Sequence, residues 1–153
     1  MLKEESLWIK DKLSKIKLKE GSSVLDIGSS TKQFREVIQP HIYKNVFKPL
    51  KNKGIKVYYL DQKIGEGIDI ICNVNKIDSL QKKFDLILCC NLLEHIKNSN
   101  KFSKKLISLV KKRGYVIITS PFKYPYHPDL IDTFYRPSDK ELKKLFPNSK
   151  VIY

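Results

Sequence analysis

The sequence predicts an α/β domain with an open, mostly parallel sheet and helices on both faces. Short apolar runs recur along the 153 residues, and segments with helical periodicity lie between them. Several runs are continuously apolar rather than alternating, as strands buried on both faces of a parallel sheet require. The predicted strands are VLDI (24–27), VYYL (57–60), IDII (68–71), FDLILCC (84–90) and YVIIT (115–119), and KVIY (150–153) begins a further one.

Three helices are predicted around these strands. The first lies in residues 1–20, where lysines alternate with apolar residues. The second covers residues 100–113; its last turn holds the basic run Lys111–Arg113, and Gly114 can cap it. The third begins at the capping box Ser138–Glu141, and the proline at position 147 ends it.

Composition bounds the class of protein. Hydrophobic residues make up 41% of the chain, so it is not disordered by composition. No run of about 18 apolar residues is present, and the charged N-terminus does not read as a signal peptide. We therefore expect a cytoplasmic protein without a membrane span. Cys72, Cys89 and Cys90 lack the spacing of zinc ligands and are expected to be small buried side chains in a reducing compartment.

The chain is strongly basic. It carries 30 Lys and Arg residues against 16 Asp and Glu residues, a formal net charge of +14. Such a charge attracts nucleic acid, anionic lipid or phosphorylated substrates. The cations are mostly lysines spread along the whole sequence rather than arginines and aromatics gathered on one element. We interpret them as a solvated surface and do not expect nucleic acid as a partner, a view that steeply salt-dependent RNA binding would reverse.

Ligands of open α/β sheets bind at the carboxyl ends of the strands, so the residues that follow each strand are the site candidates. The first strand runs into Asp26-Ile27-Gly28-Ser29-Ser30, where glycine allows a tight turn and the serines can cap a helix. The fingerprint G-x-G-x-x-G and the P-loop are both absent. The loop is either a cofactor-binding turn or a plain connection between strand and helix.

Polar side chains follow the next strands as well. Asp61, after VYYL, is placed to accept hydrogen bonds from ribose hydroxyls or to cap a turn. Asn73, with Val74, can read an adenine edge or form an Asx turn. The long loop 123–138, KYPYHPDLIDTFYRPS, is rich in aromatic residues and proline, and loops of this length are usually functional.

These motifs together resemble a known family. VLDIG, the acid after VYYL, FDLILCCNLLEHI and RGYVIITSPF are similar to class I S-adenosylmethionine-dependent methyltransferases of the type 11 group, over about residues 22–147. FDLILCCNLLEHI is the most specific part. The resemblance implies a Rossmann-like fold and S-adenosyl-L-methionine as cofactor. PYHPDLIDTFYRPS also resembles family members associated with glycan and cell-surface polysaccharide gene clusters.

The resemblance assigns parts to the chain. It implies one domain over residues 1–153, with an N-terminal helix (1–20), a cofactor-binding core (22–122) and an acceptor loop (123–138). It implies a methionine-end loop shaped by Asp26, Gly28, Ser29 and Ser30, a ribose site at Asp61 with Gln62 beside the adenine, an adenine rim at Asn73 and Val74, and a methionine wall at Asn91 and Leu92.

The chain also departs from the family pattern. Ser30 and Lys32 stand where the family has its second and third glycines, and an asparagine replaces the frequent acid at position 73. The family's last antiparallel hairpin has no counterpart before Tyr153. Either the domain is minimal, or a partner chain covers the open sheet edge, or the sequence is a truncated product. Because an uncovered edge strand invites association, we expect a homodimer formed across that edge.

Catalysis is assigned to the acceptor loop. An oxygen acceptor must lose a proton, and histidine is the usual base. His127 is the candidate, with Asp129 near enough to orient it; the alternative is a turn residue before the proline at 128. His95 of the LEH motif is expected to pack rather than catalyse, and no metal site is expected.

Three functions stay open. The ordered strand-end residues favour a methyltransferase that acts on a small molecule or on a sugar or glycan precursor. The lost glycines and the missing hairpin favour a protein of the same fold that no longer catalyses and serves as a binding or assembly module. A nucleic-acid methyltransferase or RNA-binding protein rests on net charge alone, and CNLLEH in place of an N/D-P-P-Y/F-type motif argues against a nucleobase-amine methyltransferase.

Overall fold

The computed structural model describes residues 1–121 and 131–151 of the chain. At its centre lies a five-stranded sheet with the strand order β3-β2-β1-β4-β5, in which every neighbouring pair is parallel. The predicted Rossmann-like α/β fold is therefore confirmed. The strands are β1 (Ser23–Ile27), β2 (Lys56–Asp61), β3 (Ile70–Ile71), β4 (Phe84–Cys90) and β5 (Val110–Thr119).

Helices pack on both faces of this sheet. They include short π-helical turns at Phe34–Ile38 and Tyr43–Phe47, and 3₁₀ turns at Val74–Ser79 and Leu93–His95. The α-helices are α1 (Lys3–Lys15), α2 (Pro40–Ile42), α3 (Lys48–Asn52), α4 (Ser99–Ser108) and α5 (Asp139–Leu145). Among the described residues, no helix has the length and apolar character needed to cross a bilayer.

Two cores form because successive side chains of a strand point to opposite faces. On β1, Leu25 belongs to the core shared with Phe102 of α4, whereas Val24 belongs to the core shared with Ile9 of α1. All four side chains are essentially inaccessible to solvent. Each such burial contributes about 1.5–3 kcal/mol, which explains why apolar residues occupy positions 24, 25 and 27 of β1.

The helix predicted over residues 100–113 is wrong at its C-terminal end. Helix α4 stops at Ser108, and the basic run Lys111–Arg113 belongs to β5. The reason is a competing partner: the amide of Phe84 donates to the carbonyl of Leu109 (2.8 Å), and Phe84 then pairs with Val110. The register shifts before the next pair, so the basic run bulges out of the ladder.

Of the two elements predicted near the C-terminus, the helix is confirmed and the strand after it is not. Ser138 and Glu141 form the predicted capping box, since the amide of Ser138 donates to Oε2 of Glu141 (2.8 Å) and Ser138 Oγ accepts from the amide of Glu141 (3.4 Å). The predicted strand 150–153 is wrong in its described part: residues 150 and 151 are irregular and exposed because no neighbouring strand pairs with them.

Candidate functional site

The loop after β1 turns back on the sheet as soon as the strand ends. The amides of Gly28 and Ser29 both donate to the carbonyl of Leu60 at the end of β2 (2.9 and 3.0 Å). Gly28 adopts φ +76°, and a Cβ atom there would lie 3.3 Å from Cδ1 of Leu92. Glycine thus serves two needs at this position, a left-handed backbone and close approach to the residue after β4.

Ser30 keeps the backbone shape that the missing second glycine would have provided. Its φ is +57°, a conformation that costs a non-glycine residue about 1–2 kcal/mol. Its amide donates to Oδ2 of Asp61 at the end of β2 (2.9 Å). The carboxylate therefore fixes a strained turn, and it also accepts from the amide of Lys63 through Oδ1 (3.0 Å).

Arg35 is the main support of this loop, and sequence reasoning missed it. Its side chain is 1% exposed. The guanidinium donates to the carbonyls of Ser29 (3.3 Å), Ser30 and Gly67 (2.8 Å for the last). Its carbon lies 3.7 Å from the ring centroid of Tyr59. A planar cation with several fixed donors ties the loops after β1 and β2 together, which lysine cannot do.

A signal for Arg35 was present in the composition. Only three of the 30 basic residues are arginines. Arg35 is one, and Arg136 is another, forming a two-pronged pair with the carboxylate of Asp132 (3.0 and 2.8 Å). In a chain that uses lysine almost everywhere, two of the three arginines thus use the fork geometry that lysine lacks, and the third, Arg113, is exposed.

Asp26 lies beneath the loop at the end of β1. Its side chain is 7% exposed, and burial raises its pKa to about 7, although the charge of Arg35 opposes that rise and the charge of Asp61 adds to it. Burial therefore favours the protonated form of Asp26 far more than in a solvated carboxyl group. The sequence pointed to this residue but not to its protonation.

The third strand end forms a local turn. Oδ1 of Asn73 accepts from the amide of Asn75 (2.9 Å) and caps the 3₁₀ turn that follows β3. The side chain thus forms the Asx turn that was one of the two predicted alternatives. Asn73 and Gln62 are both exposed at this edge of the sheet. Val74 is half-buried against the core.

Asn91, after β4, is bound to the N-terminal helix. It adopts φ +49°, and its amide donates to the carbonyl of Thr119 at the end of β5 (3.0 Å). Its Nδ2 lies 2.9 Å from both carboxylate oxygens of Glu5 in α1. The hydroxyl of Thr119 donates to the same carboxylate. Glu5 therefore holds α1 over the ends of β4 and β5. Glu5 and Asn91 are 86 residues apart in the sequence, so no local pattern predicts their contact.

The LEH motif anchors the chain that leads to α5. Glu94 is 1% exposed, and its carbonyl accepts from the amide of Thr133 (2.8 Å). Nδ1 of His95 lies 2.7 Å from the carbonyl of Ile131. This geometry agrees with the packing role expected for His95. The candidate catalytic residues His127 and Asp129 lie outside the described residues.

The three cysteines lie in β4 or directly after β3. Cys89 is buried, Cys72 and Cys90 are half-buried, and burial raises the pKa of all three thiols. Within residues 1–121 and 131–151, no three His, Cys, Asp or Glu side chains lie close enough to hold a metal ion.

Comparison with known proteins decides the family. The model of the methyltransferase domain family matches residues 3–148. The chain belongs to this family of methyltransferase domains. No curated protein matches the chain by sequence.

Several solved methyltransferases have a similar fold. A putative sarcosine dimethylglycine methyltransferase from Galdieria sulphuraria is 14% identical with a TM-score of 0.57, over 78% of this chain and 47% of that one. Coclaurine N-methyltransferase, solved with N-methylheliamine and SAH, is 19% identical with a TM-score of 0.52, over 77% and 35%. A SAM-dependent methyltransferase from Aquifex aeolicus is 19% identical with a TM-score of 0.58, over 94% and 79%. The matched region thus spans about half or less of the first two enzymes.

Membership of the methyltransferase family indicates S-adenosylmethionine as the cofactor, and the strand ends of this chain fit it. The turn at Gly28 leaves a space beside Leu92 that a Cβ atom at this position would partly fill. The carboxylate of Asp61 is half-buried and accepts one amide on each oxygen, which leaves further acceptor capacity for hydroxyl groups.

Proposed function

We propose that the chain is a methyltransferase acting on a small molecule or on a sugar or glycan precursor. One observation carries the proposal: the backbone is left-handed at both Gly28 and Ser30 although a serine stands at the family's second glycine position, and Asp61 and Arg35 hold this turn in place. A plain connection between strand and helix has no need of a strained serine held by a buried cation.

The proposed cofactor residues all belong to the strand ends. When bound, S-adenosylmethionine supplies a methyl group already activated by the sulfonium centre, so the protein's task is to orient the two reactants. We assign the ribose hydroxyls to Asp61 and the methionine end to the turn at Gly28–Ser30. The remaining assignments follow the family pattern, with Gln62, Asn73 and Val74 at the adenine and Asn91 and Leu92 near the methionine moiety; Asp26 supports the loop from below.

We propose that His127 is the base that removes the proton from the acceptor and that Asp129 orients its imidazole. Residues beyond the loop agree with an acceptor site at this edge, because the segment from Ile131 returns to the LEH turn after β4. The carboxylate of Glu5 above Asn91 adds a polar group at the same end of the sheet.

Turnover tests this proposal. The purified chain is incubated with methyl-labelled S-adenosylmethionine and panels of amines, hydroxylated small molecules and nucleotide sugars, and formation of S-adenosylhomocysteine is followed. We expect product with at least one acceptor class and none with an Asp61→Ala variant. Cofactor binding without turnover on any panel member would favour the second candidate, a non-catalytic binding module, which the replaced glycines at Ser30 and Lys32 support.

We further propose that the chain forms a homodimer across an exposed sheet edge. Both β3 and β5 are edge strands of the described sheet, and unpaired edges favour association. Light scattering at high protein concentration tests this proposal: twice the monomer mass of 17.9 kDa is expected, and a monomer would contradict it.

A further inference from the structure

The fold gathers the turns that precede the strands at one edge of the sheet, opposite the candidate cofactor site. We call this surface the amino edge and define it as residues 16–22, 53–56, 81–85 and 111–115. The turns touch one another directly. The amide of Gly21 donates to the carbonyl of Gly54 (3.0 Å), and the amide of Ser23 donates to Asp85 (2.8 Å).

Positive charge predominates on this edge. Glu20 and Asp85 are its two carboxylates, and Asp85 is already engaged by Lys111 Nζ (2.8 Å). Against them stand nine exposed cations, so the edge carries half of the chain's formal net charge of +14. The cations are Lys17, Lys19, Lys53, Lys56, Lys82, Lys83, Lys111, Lys112 and Arg113.

A groove of about 390 Å³ lies within the amino edge, between the turn before β1 and the bulge of β5. Five of the cations line it, from residues 17–19 and from the run Lys111–Arg113. Tyr115 lines it as well and is half-buried, packed against the core shared with α1. A basic groove with an aromatic residue in its wall is the kind of surface that binds single-stranded nucleic acid.

We propose that the amino edge binds the phosphodiester backbone of single-stranded nucleic acid. Each lysine places a compact positive charge at the end of a flexible side chain. Such charges bind phosphates and do not distinguish one base from another. An anionic membrane fits less well, because none of the exposed large apolar side chains among the described residues belongs to the amino edge, and the surface is concave. Eight of the 27 lysines, although spread along the sequence, thus lie together with Arg113 on one edge of the sheet.

The proposal does not depend on methyl transfer. β1 is five residues long, which separates the amino edge from the loop at Gly28 by about 15 Å. A defect in one surface can therefore be measured while the other is intact. S-adenosylhomocysteine binding serves as that internal check.

The test is fluorescence anisotropy with labelled U20 and dT20 oligonucleotides, titrated with the full chain between about 50 and 200 mM KCl. The edge variant is Lys17→Glu/Lys19→Glu/Lys112→Glu. The matched control, Lys10→Glu/Lys104→Glu/Lys140→Glu, makes the same change of charge at exposed helical positions. A neutral edge variant, Lys17→Gln/Lys19→Gln/Lys112→Gln, guards against a folding defect, which circular dichroism detects.

We expect the wild-type chain to bind both oligonucleotides with an affinity that falls steeply with salt. The edge variant should lose at least about tenfold in affinity, and the slope against log salt should become shallower by about 2, as loss of three phosphate contacts requires. The control should stay within about threefold of wild type. Equal losses in both variants, no binding at about 50 mM KCl, or binding to phosphatidylserine vesicles but not to oligonucleotides would overturn the proposal. Binding of U20 alone supports an RNA partner, and equal binding of both supports recognition of the backbone alone.

Discussion

The amide of Ser30 donates a 2.9 Å hydrogen bond to Oδ2 of Asp61, joining the ends of β1 and β2. This bond links two positions that the family pattern treats separately, the second glycine and the ribose acid. It places a residue with φ +57° in a glycine's conformation and holds it there. At position 30 the loop therefore owes its shape to Asp61 and Arg35 rather than to a glycine of its own.

Ser30→Gly should stabilise the protein. Glycine removes the left-handed strain at φ +57° but gives the unfolded chain more freedom, so a net gain of about 0.5–1 kcal/mol in the free energy of unfolding is expected. Urea denaturation measures it. Ser29→Gly is the matched control, because Ser29 is buried without a positive φ and should lose stability. A loss in both variants would show that Ser30 is not strained.

Arg35→Lys should cost about 2–3 kcal/mol in the free energy of unfolding, although the charge is kept. Lysine cannot donate to the carbonyls of Ser29, Ser30 and Gly67 together, and buried carbonyls are left without partners. Arg113→Lys, at an exposed position, should change stability by less than about 0.5 kcal/mol. Equal effects in urea denaturation would contradict the role given to the buried fork.

Asp26 should make the protein less stable as pH rises from about 5 to 7. Burial raises its pKa from 3.8 to about 7, so in this window the folded state holds a proton that the unfolded state has lost. The stability that this proton supplies is complete near pH 4 and is lost as pH approaches the folded pKa. Asp26→Asn should abolish this component, on the order of 2–4 kcal/mol.

Urea denaturation at pH 5, 6, 7 and 8 measures this effect as the difference between wild type and Asp26→Asn. That difference isolates the one carboxyl group from all other titrations. Parallel pH profiles for the two proteins would mean that Asp26 titrates normally and is not desolvated.

Glu5→Gln should loosen helix α1. The carboxylate accepts from Nδ2 of Asn91 and from the hydroxyl of Thr119, and an amide replaces one acceptor oxygen with a donor. We expect a loss of about 1–2 kcal/mol and faster hydrogen exchange along α1. Glu4→Gln is the control, since it neutralises an exposed acid in the same helical turn. Similar exchange in both variants would show that Glu5 does not hold the helix.

His127→Ala should lower turnover about 10²–10⁴-fold once an acceptor is known, because it removes the proposed base for the acceptor proton. S-adenosylhomocysteine affinity should not change. Asp129→Asn should show a smaller loss, since it removes only the orienting group. Unchanged turnover in His127→Ala would contradict the proposed base.

Much of the fold was predictable, because strands that are buried on both faces of a parallel sheet are continuous apolar runs in the sequence. The apolar runs of β1, β2 and β4 are recognisable without knowledge of their partners. The exceptions are places where a distant partner overrides a local preference. The run Lys111–Arg113 suits a helix end, but pairing of Val110 with Phe84 draws the chain into β5.

The candidate-site residues that directly follow strands were predictable from the sequence. Those that reach the site from other elements were not. Asp26, Gly28 and Asp61 lie at strand ends that sequence order identifies. Arg35 and Glu5 reach the same edge from helical segments, and only tertiary structure shows that Glu5 meets Asn91. The protonation of Asp26 depends on burial and on two neighbouring charges, which no sequence motif encodes.

Calorimetric titration of S-adenosylhomocysteine into the purified chain tests the central claim most directly. We expect micromolar binding that is lost in Asp61→Ala and kept in Asp11→Ala, an exposed acid that pairs with Lys15 in α1. Asp61→Asn should bind with intermediate affinity, because one oxygen acceptor remains. No binding at millimolar ligand, with the chain shown to be folded by circular dichroism, would contradict the claim that the turn at Gly28–Ser30 is a cofactor site.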